Sequence, residues 1–169
     1  MFIEIKITHE QRARAERWYN FKALPDSITE GESNIYCAIG EIVTLDWLEA
    51  QGYDVEYVGS KSYDLLIGRF KVDVKTKKGR NPPRPVHSVS IPATSKRQRC
   101  DLYFFVTVNY QKSRAWLLGN KYKEDYFREA IFLKKGEHDP VDPTFLMRCD
   151  SYNLQAFNLK PIKPKLTNE

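Results

Sequence analysis

The run Leu102-Tyr-Phe-Phe-Val-Thr-Val-Asn109 is apolar almost without interruption. A strand with one wet face alternates apolar and polar residues, so a continuous run of this length predicts a central strand covered on both faces. Two covering layers must come from elsewhere in the chain. Its 169 residues, 41% hydrophobic, suffice for one domain with a sizeable core. The expectation is a single α/β domain over 1–160, a mixed central β-sheet flanked by helices, followed by a flexible C-terminal tail, 161–169.

Residues 2–7 alternate apolar and charged, as a short edge strand does. Thr8 with Gln11 is a capping-box pattern, predicting a helix over about 9–22 with Trp18 and Phe21 turned inward. Residues 23–33, with Pro25, Asp26, Ser27, Gly31 and Ser33, read as a loop. A second helix is expected over about 34–51, ending at Gly52. It is apolar nearly all round and therefore substantially buried. Strand-like runs follow at about 54–58, 63–67 and 70–76, then a long basic loop, 77–99. After the central run come a strand near 114–119, a short helix near 121–128, and extended runs near 130–135 and 152–159.

The net charge of +5 favours an anionic partner, either nucleic acid or a membrane surface. Cys37, Cys100 and Cys149 are odd in number and widely spaced, which argues against a disulfide framework and for a reducing compartment. With only His9, His87 and His138 there is no zinc-like cluster, so any metal should be held by oxygen. Glu137, His138 and Asp139 precede Pro140 and read as a loop, not a second metal site. The N-terminus is too short and too charged for a signal peptide, and no stretch approaches a membrane span; the expectation is a soluble, cytoplasmic protein with no membrane partner.

Chemistry concentrates in Tyr63–Lys75. Gly68-Arg69 fits a two-residue hairpin turn with glycine first. The register then pairs Ile67 with Phe70, Leu65 with Val72 and Asp64 with Asp73. One face carries Leu65, Ile67, Phe70, Val72 and Val74; the other carries Asp64, Asp73 and Lys75, with Lys71 and Leu66. Facing like charges cost stability, and a hard divalent cation such as Mg²⁺ would offset that cost. The alternative is a solvated hairpin whose aspartates are neutralised by Lys71 and Lys75. A third acid, Glu41, lies in a helical line with Ala38, Leu45 and Leu48, where a carboxylate needs a partner or an exit to solvent. Gly40 beside it would permit close backbone approach.

A helical Glu, a strand-borne Asp, and Asp-x-Lys on the next strand resemble the PD-(D/E)XK nuclease superfamily: here Glu41, then Asp64, then Asp73-Val74-Lys75. The resemblance covers roughly 34–119, with Tyr63 where a proline would precede the first Asp. It implies a restriction-endonuclease-like fold, dependence on Mg²⁺ with Mn²⁺ able to substitute, and hydrolysis leaving a 5′-phosphate. It also implies that Asp64, Asp73, the Val74 carbonyl and Glu41 bind the metal while Lys75 orients the attacking water. Asp101, which opens the central strand, is expected to be a strand-end residue.

Residues 74–100 contain no Asp or Glu but carry Lys77, Lys78, Arg80, Arg84, Lys96, Arg97 and Arg99, a candidate surface for a phosphate backbone. An ordinary solvated basic loop is the plainer alternative. The chain is short for an added sequence-reading domain, which favours structure-specific or weakly sequence-specific cleavage of DNA over RNA. Two-fold cutting would need a homodimer. A phage or mobile-element origin suits such a small nuclease. The alternatives are a catalytically silent DNA-binding protein of the same fold, an RNA nuclease, and a basic protein-interaction module.

Overall fold

A computed structural model describes residues 2–21 and 32–163. The chain opens with strand β1 (Ile3–Lys6) and helix α1 (His9–Phe21). The capping box at the start of α1 is reciprocal: Gln11 N donates to Thr8 Oγ1 at 3.1 Å and Thr8 N to Gln11 Oε1 at 3.0 Å. Most of the expected 23–33 loop lies outside the described residues, and helix α2 (Glu32–Ala50) begins two residues earlier than its sequence pattern suggests.

Helix α2 is buried as its composition requires. Ile39, Ile42 and Val43 are fully enclosed between α1 and the sheet. Gly40 sets the depth of that packing: a Cβ there would lie 2.0 Å from Thr76 Oγ1. Only glycine lets the helix backbone approach the strand so closely. That approach brings Glu41, the next residue, alongside the hairpin.

The main sheet continues with β2 (Val55–Tyr57), β3 (Leu65–Ile67), β4 (Phe70–Lys78), β6 (Leu102–Asn109) and β7 (Arg114–Tyr122), in the order β1-β7-β6-β4-β3-β2. Only β4 and β6 run parallel, so the sheet is mixed. The intervening β5 (Ser88–Pro92) belongs to a second sheet, with β8 (Ile131–Leu133) and β9 (Ser151–Gln155) in the order β5-β9-β8. A short helix, α3 (Lys123–Glu129), follows β7.

All eight residues of β6 are buried, the two-sided burial that its continuous apolar run predicts. On one face Phe104, Val106 and Val108 join Leu65, Val72, Val74 and the α2 residues. On the other, Tyr103 and Phe105 join Trp116, Leu118, Tyr126, Val89, Ile91 and Leu154. Each such side chain stabilises the fold by roughly 1.5–3 kcal/mol on full burial.

The second face adds a small sheet to the expected mixed sheet flanked by helices. Helices α1 and α2 pack on one face; the small sheet and α3 cover the other. The 77–99 segment is therefore not one long loop. Within it, Val89 and Ile91 alternate inward on β5, and Ala93–Arg97 forms a 3-10 turn. The expected tail from Pro161 starts with placed residues: Asn120 and Lys160 exchange backbone hydrogen bonds, and Tyr53 OH donates to Lys163 O at 2.6 Å. Among the described residues no helix is long and apolar enough to cross a membrane.

Candidate acidic site at the end of the hairpin

The hairpin turns at Gly68-Arg69 with Gly68 at φ 55°, and its register pairs Ile67 with Phe70, Leu66 with Lys71 and Leu65 with Val72. The regular pairing stops there: the chain bends at Asp64, whose N donates to Val72 O at 2.9 Å, so Asp64 bulges beside Leu65 instead of standing opposite Asp73 as the hairpin register predicts. Strand β3 begins at Leu65, so nothing on it pairs with Val74. The Asp64 carboxylate takes that place: Oδ2 accepts from Val74 N at 2.8 Å. The acid thus caps an open stretch of strand edge, and an unpaired strand edge is an available hydrogen-bonding surface.

Asp73 is buried and fully engaged. Its Oδ2 lies 2.8 Å from Lys75 Nζ, and its Oδ1 accepts from Gln98 Nε2 at 2.7 Å. Gln98 Oε1 in turn accepts from Lys75 Nζ at 2.9 Å, closing a three-residue ring. The Lys75 ammonium also lies 5.6 Å from the centroid of Tyr103, the residue paired with Asp73 on β6. The sequence marks Gln98 only as a polar residue of the basic segment. Its role depends on the 3-10 turn folding back over β4, which no local pattern announces. The main-chain oxygen of Gln98 accepts from Lys123 Nζ, fixing the amide from behind.

Glu41 reaches the same place from α2. Its Oε2 accepts from Tyr57 OH at 3.1 Å, and Tyr57 stacks on Trp18 at 4.2 Å. Burial first, then the Glu41 charge, raises the Tyr57 phenol well above its ordinary range, so it remains a neutral donor.

Electrostatics tie the three acids together. Burial, followed by the charges of Glu41 and then Asp73, pushes the Asp64 carboxyl up to about 8. The Val74 hydrogen bond and Lys75 oppose that rise without cancelling it. The Cys37 thiol, one helical turn before Glu41, has an open side but is pushed up to about 11 by desolvation, then by Glu41 and Asp64. It stays protonated and unreactive at neutral pH.

The other expected residues are dispersed. Lys71 is exposed and lies 5.6 Å from the Tyr63 ring. Lys77 Nζ donates to Ser88 O at 3.1 Å, and this desolvation lowers its pKa. Lys78 lies 5.0 Å from the Tyr36 ring centroid, and Lys96 lies 5.6 and 5.4 Å from Phe127 and Tyr152. Arg84 leans on His87, Nε to Nε2 3.0 Å. Arg80, Arg97 and Arg99 are exposed. Asp101 is a strand-end residue, accepting from Lys71 N at 2.8 Å. A separate cleft beside it, lined by Arg69, Phe70, Cys100 and Tyr122, contains none of the three clustered acids. Glu137 caps Lys134 N and Asp139 turns inward, so these two do not converge with His138. Among the described residues no three His, Cys, Asp or Glu side chains are gathered as a ready-made metal cage.

No family model, no curated protein and no solved structure matches the chain.

Proposed function

We propose that the chain is a divalent-metal-dependent nuclease that hydrolyses DNA phosphodiester bonds, structure-specific or weakly sequence-specific. The observation that carries this reading is the crowding of Asp64 by Glu41 and Asp73 at an open strand edge, with Lys75 fixed beside them. Carboxylates that raise one another's proton affinity also suit a hard cation, since a cation relieves the same repulsion. The donor set is all oxygen, as Mg²⁺ or Mn²⁺ requires. Asp64, Asp73, Glu41 and the Val74 carbonyl would hold it. Residues of β4 that turn their N–H toward the β3 side turn their C=O the same way, and Val74 N already points to Asp64.

The bound ion would supply positive charge to the phosphate oxygens and acidify a water molecule. The chain's own residues do the rest. Tyr57 holds Glu41 by its hydroxyl. Gln98 holds Asp73 and Lys75 in one plane of contact. Lys75, 2.8 Å from Asp73 Oδ2, would orient the attacking water and favour its deprotonated form. The basic residues of the 77–99 segment contribute a sequence-independent hold on the phosphate backbone.

A second reading, a catalytically silent DNA-binding protein, is favoured by one fact: Asp73, Lys75 and Gln98 already satisfy one another without an ion. Cleavage of supercoiled plasmid, single-stranded DNA and a branched duplex, with Mg²⁺, Mn²⁺ or EDTA, separates the two. The nuclease reading expects metal-dependent cutting that Lys75→Ala abolishes. DNA binding without cutting of any DNA or RNA substrate would establish the silent protein instead.

A further inference from the structure

The segment joining β8 to β9 carries its apolar tip outward. Phe145 is 39% exposed and Leu146 50%. Such side chains usually fold inward, and an apolar patch held in water marks a contact surface. This tip is held there by construction. Asp139, 4% exposed, accepts from Val141 N, Asp142 N, Ser88 Oγ and Asn153 Nδ2. Its backbone N donates to Phe145 O, and a bridge pairs His138 with Leu146. The loop is thus pinned to the small sheet from beneath while Phe145 and Leu146 face solvent.

The tip is also placed beside the acidic site. Lys77 follows Lys75 on the same face of β4, about 7 Å further along the strand. Its ammonium lies 5.7 Å from the Phe145 ring centroid. Arg84 Nε lies 3.0 Å from His87 Nε2, and burial first, then the charges of Arg84 and Lys77, lower the imidazole's pKa against the opposing charge of Asp142. Asp139 is held by the bonds above and Asp142 by Thr144 N and Oγ1, and both carboxylates lie close enough for their charge to reach Lys77. The tip thus sets a part-exposed aromatic ring against the Lys77 ammonium, with Arg84 the next cation in line beyond His87, a pairing that suits a base attached to a phosphate.

We infer that Phe145 is a stacking platform for an unpaired nucleobase, with Lys77 and Arg84 flanking its phosphate, so that the protein prefers single-stranded or frayed DNA next to its acidic site. A base inside a duplex has its faces covered by neighbours and cannot use the platform. The inference rests on the nuclease reading for its choice of ligand, but its test needs no cleavage.

The test is equilibrium binding of a fluorescent single-stranded oligonucleotide and of the matching duplex, in EDTA, by wild type, Phe145→Ala, Phe145→Leu and Phe145→Trp. Stacking lost on truncation to alanine weakens binding by roughly 5- to 150-fold per base. The expected result is a loss of that order for single strands in Phe145→Ala and Phe145→Leu, rescue in Phe145→Trp, and duplex binding within about twofold throughout. Unchanged single-strand binding overturns the platform. So does equal loss on both substrates, or retention by leucine, which would mean generic apolar packing. Cleavage of duplex by Phe145→Ala at the wild-type rate would leave the nuclease reading standing whatever became of the platform. Wild-type protein that binds neither substrate would overturn both.

Discussion

Replacing Asp64 with Asn should stabilise the metal-free protein, and by an amount that grows with pH. The Asn oxygen can still accept from Val74 N, so the substitution removes charge and keeps the hydrogen bond. A carboxyl whose folded pKa lies above its ordinary 3.8 binds its proton more tightly in the folded state. Folding then takes up a proton between pH 4 and 8, and the wild type loses stability as pH rises through that window. The variant has no such group. At about 1.4 kcal/mol per tenfold change in proton affinity, a rise from 3.8 to about 8 sets an upper bound of about 6 kcal/mol. Water reaching a half-buried carboxyl, and the nearby Lys75 ammonium, scale this to about 2–3 kcal/mol. Urea unfolding in EDTA at pH 5, 7 and 9 reads the difference directly. The gap should be small at pH 5 and nearly complete by pH 9, an advantage of about 5–10 °C in Tm for the variant at alkaline pH. A gap that is flat with pH, or a less stable variant at pH 9, would refute the crowding of Asp64.

The remaining predictions concern the neighbours. Asp73→Asn should destabilise, because Asp73 is held by Lys75 and Gln98; breaking such a pair costs about 2–4 kcal/mol, read by the same unfolding assay. Gly40→Ala should lower stability by about 1–3 kcal/mol despite the helix preference of alanine, with partial recovery in Gly40→Ala/Thr76→Ala, measured as a double-mutant cycle. At subsaturating metal, cleavage should rise with pH through the acid-to-neutral range and the rise should move to lower pH as metal is added, since a cation binds the Asp64 carboxylate and not the acid; pH–rate profiles at two metal concentrations check this. Replacing Arg80, Arg97 and Arg99 with Ala should reduce the salt slope of DNA binding by about 3, and an unchanged slope would remove them from the binding surface.

Local rules carried much of the fold. The continuous run at 102–109 and the Thr8–Gln11 box were legible because each depends on neighbours in sequence. So was the Gly68-Arg69 hairpin, whose turn chemistry dictates the register from Ile67–Phe70 to Leu65–Val72; the bend at Asp64 that ends it was not. Strand β5 was not legible. Its two inward positions, Val89 and Ile91, are hidden among prolines and cations, and its partner β9 lies some sixty residues away. Without it, nothing in the sequence pointed to a second sheet. Within the site, the hairpin acids were singled out by sequence, but neither the bulge at Asp64 nor the balance between the two was. The sequence suggests that Asp64 and Asp73 share one mutual repulsion. The fold gives Asp73 its counter-charge and amide, and leaves Asp64 to bear the crowding from Glu41. Gln98 and Tyr57 acquire their roles only through tertiary contact, since nothing near either residue in the chain marks it as a partner of an acid.

Calorimetric titration of Mn²⁺ into the protein at pH 8 tests the central claim most directly. Saturable binding that is lost in both Asp64→Asn and Asp73→Asn, with heats that vary with buffer as a proton is released at lower pH, is the predicted result. Absent binding, or binding that survives both substitutions, would contradict the assignment of a metal to these acids and the nuclease reading that depends on it.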